Sequence, residues 1–203
     1  FRLDGNRLAS FPTVSCYLPN LQVLGLDRNR LSLLPNEVDK LENLRELYLY
    51  DNNLTIIPDT ISFLKKLSIL WLGNNELTVV PNVLGTLTGL EKLDLSQNGL
   101  TNLSFAITKL SKLRVLYLSD NKLTTISQPL SLLTHLQELY LTGNQFNSLP
   151  DEVTQIKRLQ KLSLRDNPLQ DISDTISKLS DLRELDLSYN EITSLTDALV
   201  ELA

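Results

Sequence analysis

The sequence predicts an α/β solenoid, a right-handed coil of short repeats with one parallel sheet on its concave face and short helical or 3₁₀ turns on its convex face. Two observations predict this fold class. Leucines recur every 23 residues, and the eighth residue after each of them is asparagine. The leucines that mark the period are Leu21, Leu44, Leu67, Leu90, Leu113, Leu136, Leu159 and Leu182. A fixed period of this length indicates that each unit is stable only when packed against its neighbours.

The strand of each unit is predicted by alternation. Leu24 and Leu26 flank a single residue, and the same spacing returns in every later unit. Such alternation is typical of a strand that buries one face. Because the units share one register, we expect about nine short strands, counting a partial first copy, to pair as a parallel ladder. Parallel pairing needs a long crossover, which the remainder of each unit supplies.

The convex turns are predicted by apolar residues three positions apart, because such residues share one face of a 3₁₀ turn. These pairs are Val38 and Leu41, Ile61 and Leu64, Leu84 and Leu87, Val153 and Ile156, and Ile176 and Leu179. Several units begin this part with proline, namely Pro12, Pro35, Pro58, Pro81 and Pro150, whereas others carry Ser104, Ser127, Ser173 or Thr196 there.

The recurring asparagine follows the strand, where the chain turns inward and leaves backbone groups without partners in the sheet. An amide both donates and accepts, so it can satisfy such groups in its own unit and in the next. We therefore predict a structural asparagine ladder rather than a polar binding surface. Its members are Asn6, Asn29, Asn52, Asn75, Asn98, Asn121, Asn144, Asn167 and Asn190.

The repeated string LxxLxLxxNxLxxLPxxLxxL resembles the leucine-rich repeat family over the whole chain. The variant is similar to the repeats of Scribble-like and Ras-pathway scaffolds, Roco proteins and many bacterial leucine-rich repeat proteins. The resemblance implies a single horseshoe-shaped domain over residues 1–203. It comprises a partial repeat at 1–20 and repeats that start at residues 21, 44, 67, 90, 113, 136, 159 and 182. Because the chain opens inside a strand and stops inside a repeat, we expect a fragment of a longer protein.

Composition narrows the partners. The chain has 19 Lys and Arg against 24 Asp and Glu, so nucleic acid is not expected as a partner. No apolar run approaches the roughly 18 residues of a membrane span. His135 and Cys16 are each the only residue of their type, and no glycine-rich phosphate loop is present. We therefore expect no catalytic residues, metal site, cofactor or small-molecule substrate.

The expected location follows from the cysteine count. Secreted members of the family commonly close their ends with disulfide-bonded caps, and one cysteine cannot form such a bond within the chain. This favours a cytoplasmic or otherwise intracellular location. The alternative is bacterial surface display, or secretion as an effector without disulfides.

Function is expected on the concave face, at the strand positions that are not leucine and that vary from copy to copy. Tyr48 should lie beside Trp71, and Tyr117 beside Tyr140, with Asp94 between the pairs. Exposed aromatic rings suit a protein interface, although tyrosine is also simply a good strand former. The candidate protein-binding residues are Arg28, Glu46, Tyr48, Tyr50, Trp71, Asp94, Tyr117, Glu138, Tyr140, Arg165, Asp186 and Tyr189.

The resemblance implies a non-enzymatic scaffold that binds a protein partner through this face in signalling. An alternative is the recognition arm of a larger enzyme, such as a ubiquitin ligase, a Roco-type kinase and GTPase, or a phosphatase. A secreted bacterial effector is a further alternative. Arginines gather near the N-terminal end, whereas Glu184, Asp186 and Glu191 lie near the other end. This gradient could steer a charged partner, or it could be an ordinary mixed surface.

Overall fold

The sheet of this protein is assembled one short strand per repeat. The computed structural model describes residues 1–202, and within them eight strands form one parallel sheet in chain order. Each strand pairs with the next in the same register, as Leu47 pairs with Leu70. The strands are β1 (Val23–Gly25), β2 (Glu46–Tyr48), β3 (Ile69–Trp71), β4 (Lys92–Asp94), β5 (Val115–Tyr117), β6 (Glu138–Tyr140), β7 (Lys161–Ser163) and β8 (Glu184–Asp186). The predicted parallel solenoid is therefore confirmed.

The first copy departs from the prediction of about nine strands, which was wrong by one. Arg2 forms only an isolated parallel bridge to Gly25. The backbone bonds here run from Leu3 N to Gly25 O at 2.8 Å and from Gly25 N to Phe1 O at 2.9 Å. The contact is the same as between later repeats, but it involves too few residues to make a strand.

The convex side consists of short turns, as predicted. Most are 3₁₀ turns, at Thr13–Tyr17, Asn36–Lys40, Asp59–Phe63, Asn82–Thr86, Phe105–Lys109, Leu130–Leu132, Asp174–Lys178 and Asp197–Leu202, and one is the α-helical turn α1 (Asp151–Thr154). The apolar pairs identified from their spacing close the core from this side, and Val38 and Leu41, for example, are 0% and 1% exposed. No helix within residues 1–202 is long and apolar enough to cross a membrane.

The entry to each convex turn uses one of two devices. Proline precedes six of the nine described turns, and at four of these it is extended, as at Pro35 and Pro58. Where serine replaces proline, its hydroxyl caps the turn instead: Ser104 accepts a bond from Ala106 N at 3.1 Å. Ser127 is the exception, because its turn starts only at Leu130, after Pro129. Side-chain capping compensates for the lost conformational restriction of proline.

The asparagines join neighbouring repeats through their backbones. Asn52 Nδ2 donates to Leu26 O at 3.0 Å in the preceding repeat and to Leu49 O at 3.2 Å in its own, while its Oδ1 accepts from Leu31 N at 2.9 Å. The same bonds recur at Asn29, Asn75, Asn98, Asn121, Asn144, Asn167 and Asn190. Asn6, in the first copy, is exposed, and within residues 1–202 its amide bonds to Leu3 O and Asp4 O alone.

The residue before each ladder asparagine has a left-handed backbone, a feature that the repeat consensus does not announce. Gly143 has φ of 65°, whereas Gln97 and Tyr189 have φ of 50° and 56° at the equivalent position. A left-handed conformation costs a residue with a side chain roughly 1–2 kcal/mol. This backbone conformation at the end of the strand turns the chain so that the following asparagine points into the core.

Candidate functional site on the concave face

The outward side chains of the sheet form one row along the concave face. The central outward position of successive strands carries Gly25, Tyr48, Trp71, Asp94, Tyr117, Tyr140, Ser163 and Asp186. Register pairs each of these with the next, as Trp71 with Asp94 and Asp94 with Tyr117. In-register strands lie about 4.8 Å apart, so neighbouring side chains in this row are in contact range.

The first aromatic pair lies on β2 and β3. The rings of Tyr48 and Trp71 have centroids 5.2 Å apart and an interplanar angle of 77°. The Tyr48 hydroxyl donates to Glu46 Oε2 at 2.7 Å, and the Arg2 guanidinium lies 4.9 Å from the centroid of the same ring. Burial, followed by the bond to Glu46, raises the pKa of Tyr48. The edge-to-face geometry is one that aromatic pairs prefer.

Trp71 carries a hydrogen-bond donor without an acceptor. Its indole Nε1 is buried and has no hydrogen-bond partner within residues 1–202. A buried donor without an acceptor costs free energy, so such groups are rare in folded proteins. The chain keeps this large side chain on its concave face although a smaller one would avoid that cost.

The second aromatic pair lies on β5 and β6. The rings of Tyr117 and Tyr140 are nearly parallel, with centroids 4.7 Å apart and an interplanar angle of 9°. The Tyr140 hydroxyl donates to Glu138 Oε2 at 2.8 Å. Burial and that bond raise the pKa of Tyr140. Both pairs therefore present one ring hydroxyl that is fixed by a glutamate on the same strand.

Asp94 separates the two pairs on β4. The residue is only 8% exposed. Its Oδ1 accepts from Ser96 N at 2.8 Å and from Ser96 Oγ at 2.6 Å. Burial raises the pKa of the Asp94 carboxyl, and the two serine bonds oppose that shift without reversing it. Asp94 is thus a buried carboxylate between two aromatic pairs.

Tyr50 crosses the face from a position beside the first row. Its hydroxyl donates to Gln97 Oε1 at 3.1 Å, two repeats further along. The intervening repeat carries Gly73 at the position under this ring. A Cβ on Gly73 would lie 2.9 Å from Tyr50 Cδ2 and 2.7 Å from Asp94 Oδ2. Glycine therefore provides the space in which the ring and the carboxylate meet.

The predicted residues near the last strand form a separate group. Arg165 lies over the ring of Tyr189, with its guanidinium carbon 4.2 Å from the centroid. Asp186 Oδ1 accepts from Ser188 N and Oγ at 3.0 and 2.6 Å, and these bonds lower the pKa of Asp186. Lys161 forms an ion pair of 2.8 Å with Glu184. Arg28, in the repeat of β1, is exposed and has a left-handed backbone.

Some residues that contact the candidate site were not among the predicted residues. Arg2 covers Tyr48, Ser96 holds Asp94, and Gln97 receives Tyr50. Ser96 had a usable signal, because serine two residues after aspartate commonly donates back to the carboxylate. Gly73 also had one, since a lone glycine within a strand pattern suggests close approach by another group. No sequence signal identifies Gln97, because its hydrogen-bond partner Tyr50 lies two repeats away.

The reactive side chains lie away from the concave row. Within residues 1–202, no three His, Cys, Asp or Glu side chains lie close enough together to hold a metal ion. His135 is exposed, and its Nδ1 lies 2.8 Å from the carbonyl oxygen of Ser111, to which it donates. Cys16 is a buried free thiol whose pKa is raised by burial.

Comparison with known families identifies the fold family. A family model described as a leucine-rich repeat region matches residues 13–116, and a second, described as leucine rich repeat, matches residues 89–146 and 157–203. The chain belongs to the leucine-rich repeat family. A search of curated proteins gives no match.

Solved structures of this fold are similar to the chain at 29–32% identity. A chain from the octameric complex of latrophilin 3, Unc5D and FLRT2, in which FLRT2 is the leucine-rich repeat component, has a TM-score of 0.86 at 29% identity. The ectodomain of the Arabidopsis thaliana membrane receptor kinase GASSHO1/SCHENGEN3, in complex with CASPARIAN STRIP INTEGRITY FACTOR 2, has a TM-score of 0.73 at 32% identity. A leucine-rich repeat protein of Leptospira interrogans has a TM-score of 0.57 at 29% identity.

Coverage differs between the two partners of each comparison. The matches include 100% of this chain for the octameric complex, 92% for the plant ectodomain and 97% for the Leptospira protein. They include only 64%, 23% and 68% of those chains, respectively. Two of the three structures, the octameric complex and the plant ectodomain, are complexes. In each of them this chain spans less than two thirds of the matched chain.

Proposed function

We propose that this chain is a non-enzymatic protein-recognition module, a scaffold that binds a partner protein through its concave face. The observation that carries the proposal is the pairing of Tyr48 with Trp71 and of Tyr117 with Tyr140 on one sheet surface. Aromatic side chains dominate the binding energy of protein interfaces because they bury a large area at a small entropic cost. The similar structures that are complexes support the same class of function.

The aromatic pairs should be the anchors of the interface. A truncated anchor commonly costs about 2 kcal/mol or more of binding free energy. We expect Tyr48→Ala with Trp71→Ala to abolish capture of a partner from extracts of the native source, and Tyr117→Ala with Tyr140→Ala to do the same. Pull-down with purified variants, quantified by mass spectrometry, measures both effects.

A matched control comes from the convex side, where Phe63 and Phe105 are 59% and 53% exposed. Truncating these two to alanine removes as many aromatic rings without touching the concave face. Capture should persist in this variant. Loss of capture in the convex variant together with normal capture by both concave variants would overturn the proposal. Chemical denaturation of every variant separates lost binding from lost folding.

Charge at the ends should affect association rather than anchoring. Arg28→Glu and Glu184→Lys change exposed charges at residues that belong to neither aromatic pair. Rim charges mainly alter the association rate and its salt dependence. Surface plasmon resonance with a captured partner, at low and high salt, should therefore show changed association rates with nearly unchanged dissociation rates. A dominant change in dissociation would place these residues inside the interface.

An intracellular location is part of this proposal and is supported by the single buried thiol, Cys16. Thiols are maintained in reducing compartments. Alkylation of protein denatured directly from its native source should label Cys16 completely, whereas a mixed disulfide at that residue would contradict the proposed location.

A second candidate is the recognition arm of a larger enzyme. It is favoured by the similarity to a receptor kinase ectodomain, of which this chain matches 23%. The concave face would serve the same purpose in either setting. The coding sequence around residues 1–203 distinguishes them, because an adjoining catalytic domain supports the arm and further interaction domains support the scaffold.

A further inference from the structure

The carboxylate of Asp94 is the one acidic group that the concave face both buries and leaves half unbonded. The residue is 92% buried, and its Oδ1 takes both bonds from Ser96. No hydrogen bond within residues 1–202 reaches Oδ2, yet this atom is not sealed from solvent as the indole Nε1 of Trp71 is. An acceptor is therefore available at the base of the face. Burying a carboxylate without a partner is costly, and burial accordingly raises its pKa.

Within residues 1–202, no cationic side chain forms an ion pair with Asp94. Lys92 lies two residues earlier on the same strand and faces the same side, but it is exposed and forms no ion pair with Asp94. The carboxylate instead leans the other way, toward Gly73, where a Cβ would come 2.7 Å from Oδ2. The described charge pairs of the chain all lie elsewhere, so an external cation would meet no internal competitor at Oδ2.

Three aromatic residues neighbour Asp94. Trp71 and Tyr117 are its register neighbours, and the ring of Tyr50 crosses Gly73 beside Oδ2. The two neighbouring strands lie two spacings apart, about 9.6 Å, which is room for a planar group between their side chains. Ring faces carry negative electrostatic potential, so rings and carboxylate attract the same kind of ligand.

We propose that a site on the concave face, formed by Tyr50, Trp71, Asp94 and Tyr117, binds a positively charged side chain of the partner protein, with arginine favoured over lysine. The inference rests on the proposed function and names the chemistry of its partner. A guanidinium is planar, stacks on aromatic faces and is more weakly hydrated than an ammonium, so it enters a partly buried site at lower cost. Its N–H groups donate to Asp94 Oδ2 while its plane lies against the rings.

A peptide selection tests this without knowledge of the native partner. A phage-displayed library of random peptides is selected on the wild-type protein, on Asp94→Asn and on Asp59→Asn. Asparagine keeps the size of aspartate and removes its charge, and Asp59 is an exposed aspartate on a convex turn. Selected peptides are then synthesised with a fluorescent label, and their affinity for each variant is measured by fluorescence anisotropy.

Wild-type and Asp59→Asn selections should enrich arginine at a shared position, and the Asp94→Asn selection should not. A selected peptide should lose roughly tenfold or more in affinity on Asp94→Asn, because the partner of a buried charge is removed. Replacing its arginine by the neutral isostere citrulline should produce a similar loss on the wild type and little further loss on Asp94→Asn. Lysine in place of arginine should bind at an intermediate level.

The inference and the proposed function fail in different ways. Selected peptides without a cation, or with equal affinity for wild type and Asp94→Asn, overturn the proposed cation site. If those peptides still lose affinity on Tyr48→Ala with Trp71→Ala, the concave interface stands without it. Peptides whose affinity is unchanged on Asp94→Asn and on Tyr48→Ala with Trp71→Ala, but falls on Phe63→Ala with Phe105→Ala, overturn both proposals. A selection that returns no binder also overturns both.

Discussion

Asp94 and Asp186 occupy equivalent positions four repeats apart, and both begin the triplet Asp-Leu-Ser. Both carboxylates accept a backbone and a hydroxyl bond from the serine two residues later, at 2.8 and 2.6 Å in one case and 3.0 and 2.6 Å in the other. Their pKa values nevertheless shift in opposite directions. Burial raises the pKa of Asp94, whereas the serine bonds lower the pKa of Asp186.

The difference comes from the neighbours. Asp94 lies between Trp71 and Tyr117, whereas Asp186 has Ser163 on one side and no described strand on the other. The serine bonds favour the charged form in both places, but only Asp94 has large rings that exclude water from it. The pKa of an aspartate on this face therefore depends more on the residues of the neighbouring strands than on the sequence of its own repeat.

The core shows the same contrast, and substitutions of its strand leucines provide the largest expected effect. Leu93 is fully buried in β4, whereas Leu185 in β8 is only partly buried. Leu93→Ala should cost roughly 2–5 kcal/mol of unfolding free energy, the usual range for a leucine truncated in a core. Leu185→Ala should cost clearly less, because its site is already partly open to solvent. Chemical denaturation of the two variants provides the comparison, and equal costs would break it.

The asparagine ladder should show an intermediate effect. Asn144 is buried and bonds to Leu118 O at 3.0 Å and Leu141 O at 3.1 Å, while Leu123 N donates to its Oδ1 at 3.0 Å. Asn144→Ala should cost roughly 1–3 kcal/mol, because those backbone groups lose their partner. The partly exposed Asn190 should lose less on substitution, since water can replace its amide.

The same measurement applied to other positions sharpens the result. Asn98→Ala, in the middle of the array but at a partly buried asparagine, should cost roughly 1–3 kcal/mol and no more than Asn144→Ala. His135→Ala, at an exposed site, should be nearly neutral. If Asn98→Ala and His135→Ala had the same negligible cost, the loop would be satisfied by groups other than the ladder asparagine.

The smallest expected effect is on the pH dependence of stability, where the two aspartates should differ in sign. Asp94 binds its proton more tightly in the folded state, so its ionised form destabilises the fold at neutral pH, and this penalty is relieved as the pH falls through the raised pKa. Asp94→Asn should therefore be more stable than the wild type at pH 7, with the gap closing in acid.

Asp186 behaves in the opposite way, because its pKa is lowered in the folded state. It contributes stability above the pKa of the unfolded chain, and that contribution is lost as the pH falls through the lowered folded pKa. Asp186→Asn should be slightly less stable than the wild type at pH 7 and equal to it in strong acid. Denaturation at several pH values tests both variants, and stability changes of the same sign would contradict the contrast.

The sequence predicts most of this fold because the same leucine spacing recurs in every repeat. Leucine spacing determines the strand and the turn, and Val38 and Leu41 are buried as their spacing indicates. The left-handed residues are less visible, since Gln97 and Tyr189 do not have the side chains that favour that backbone. Their conformation is imposed by the turn toward the asparagine.

The concave face is predicted only in outline. Register alone places Tyr48 beside Trp71 and Asp94 between the aromatic pairs. The bond from Tyr50 to Gln97 and the contact of Arg2 with Tyr48 depend on how long side chains lie across strands, which a one-dimensional pattern does not encode. The burial of Asp94 likewise depends on the bulk of its neighbours, and not on its own position in the repeat.

The account is tested most directly by measuring the pKa values of Asp94 and Asp186 in one sample. Carbon-13 NMR of the side-chain carboxyl groups across a pH titration resolves the two residues, with assignments from Asp94→Asn and Asp186→Asn. The account predicts a value for Asp94 above the ordinary aspartate pKa of about 3.9, and a value for Asp186 below it. Two equal values, or the reverse order, would contradict the claim that position in the stack determines the chemistry of this face.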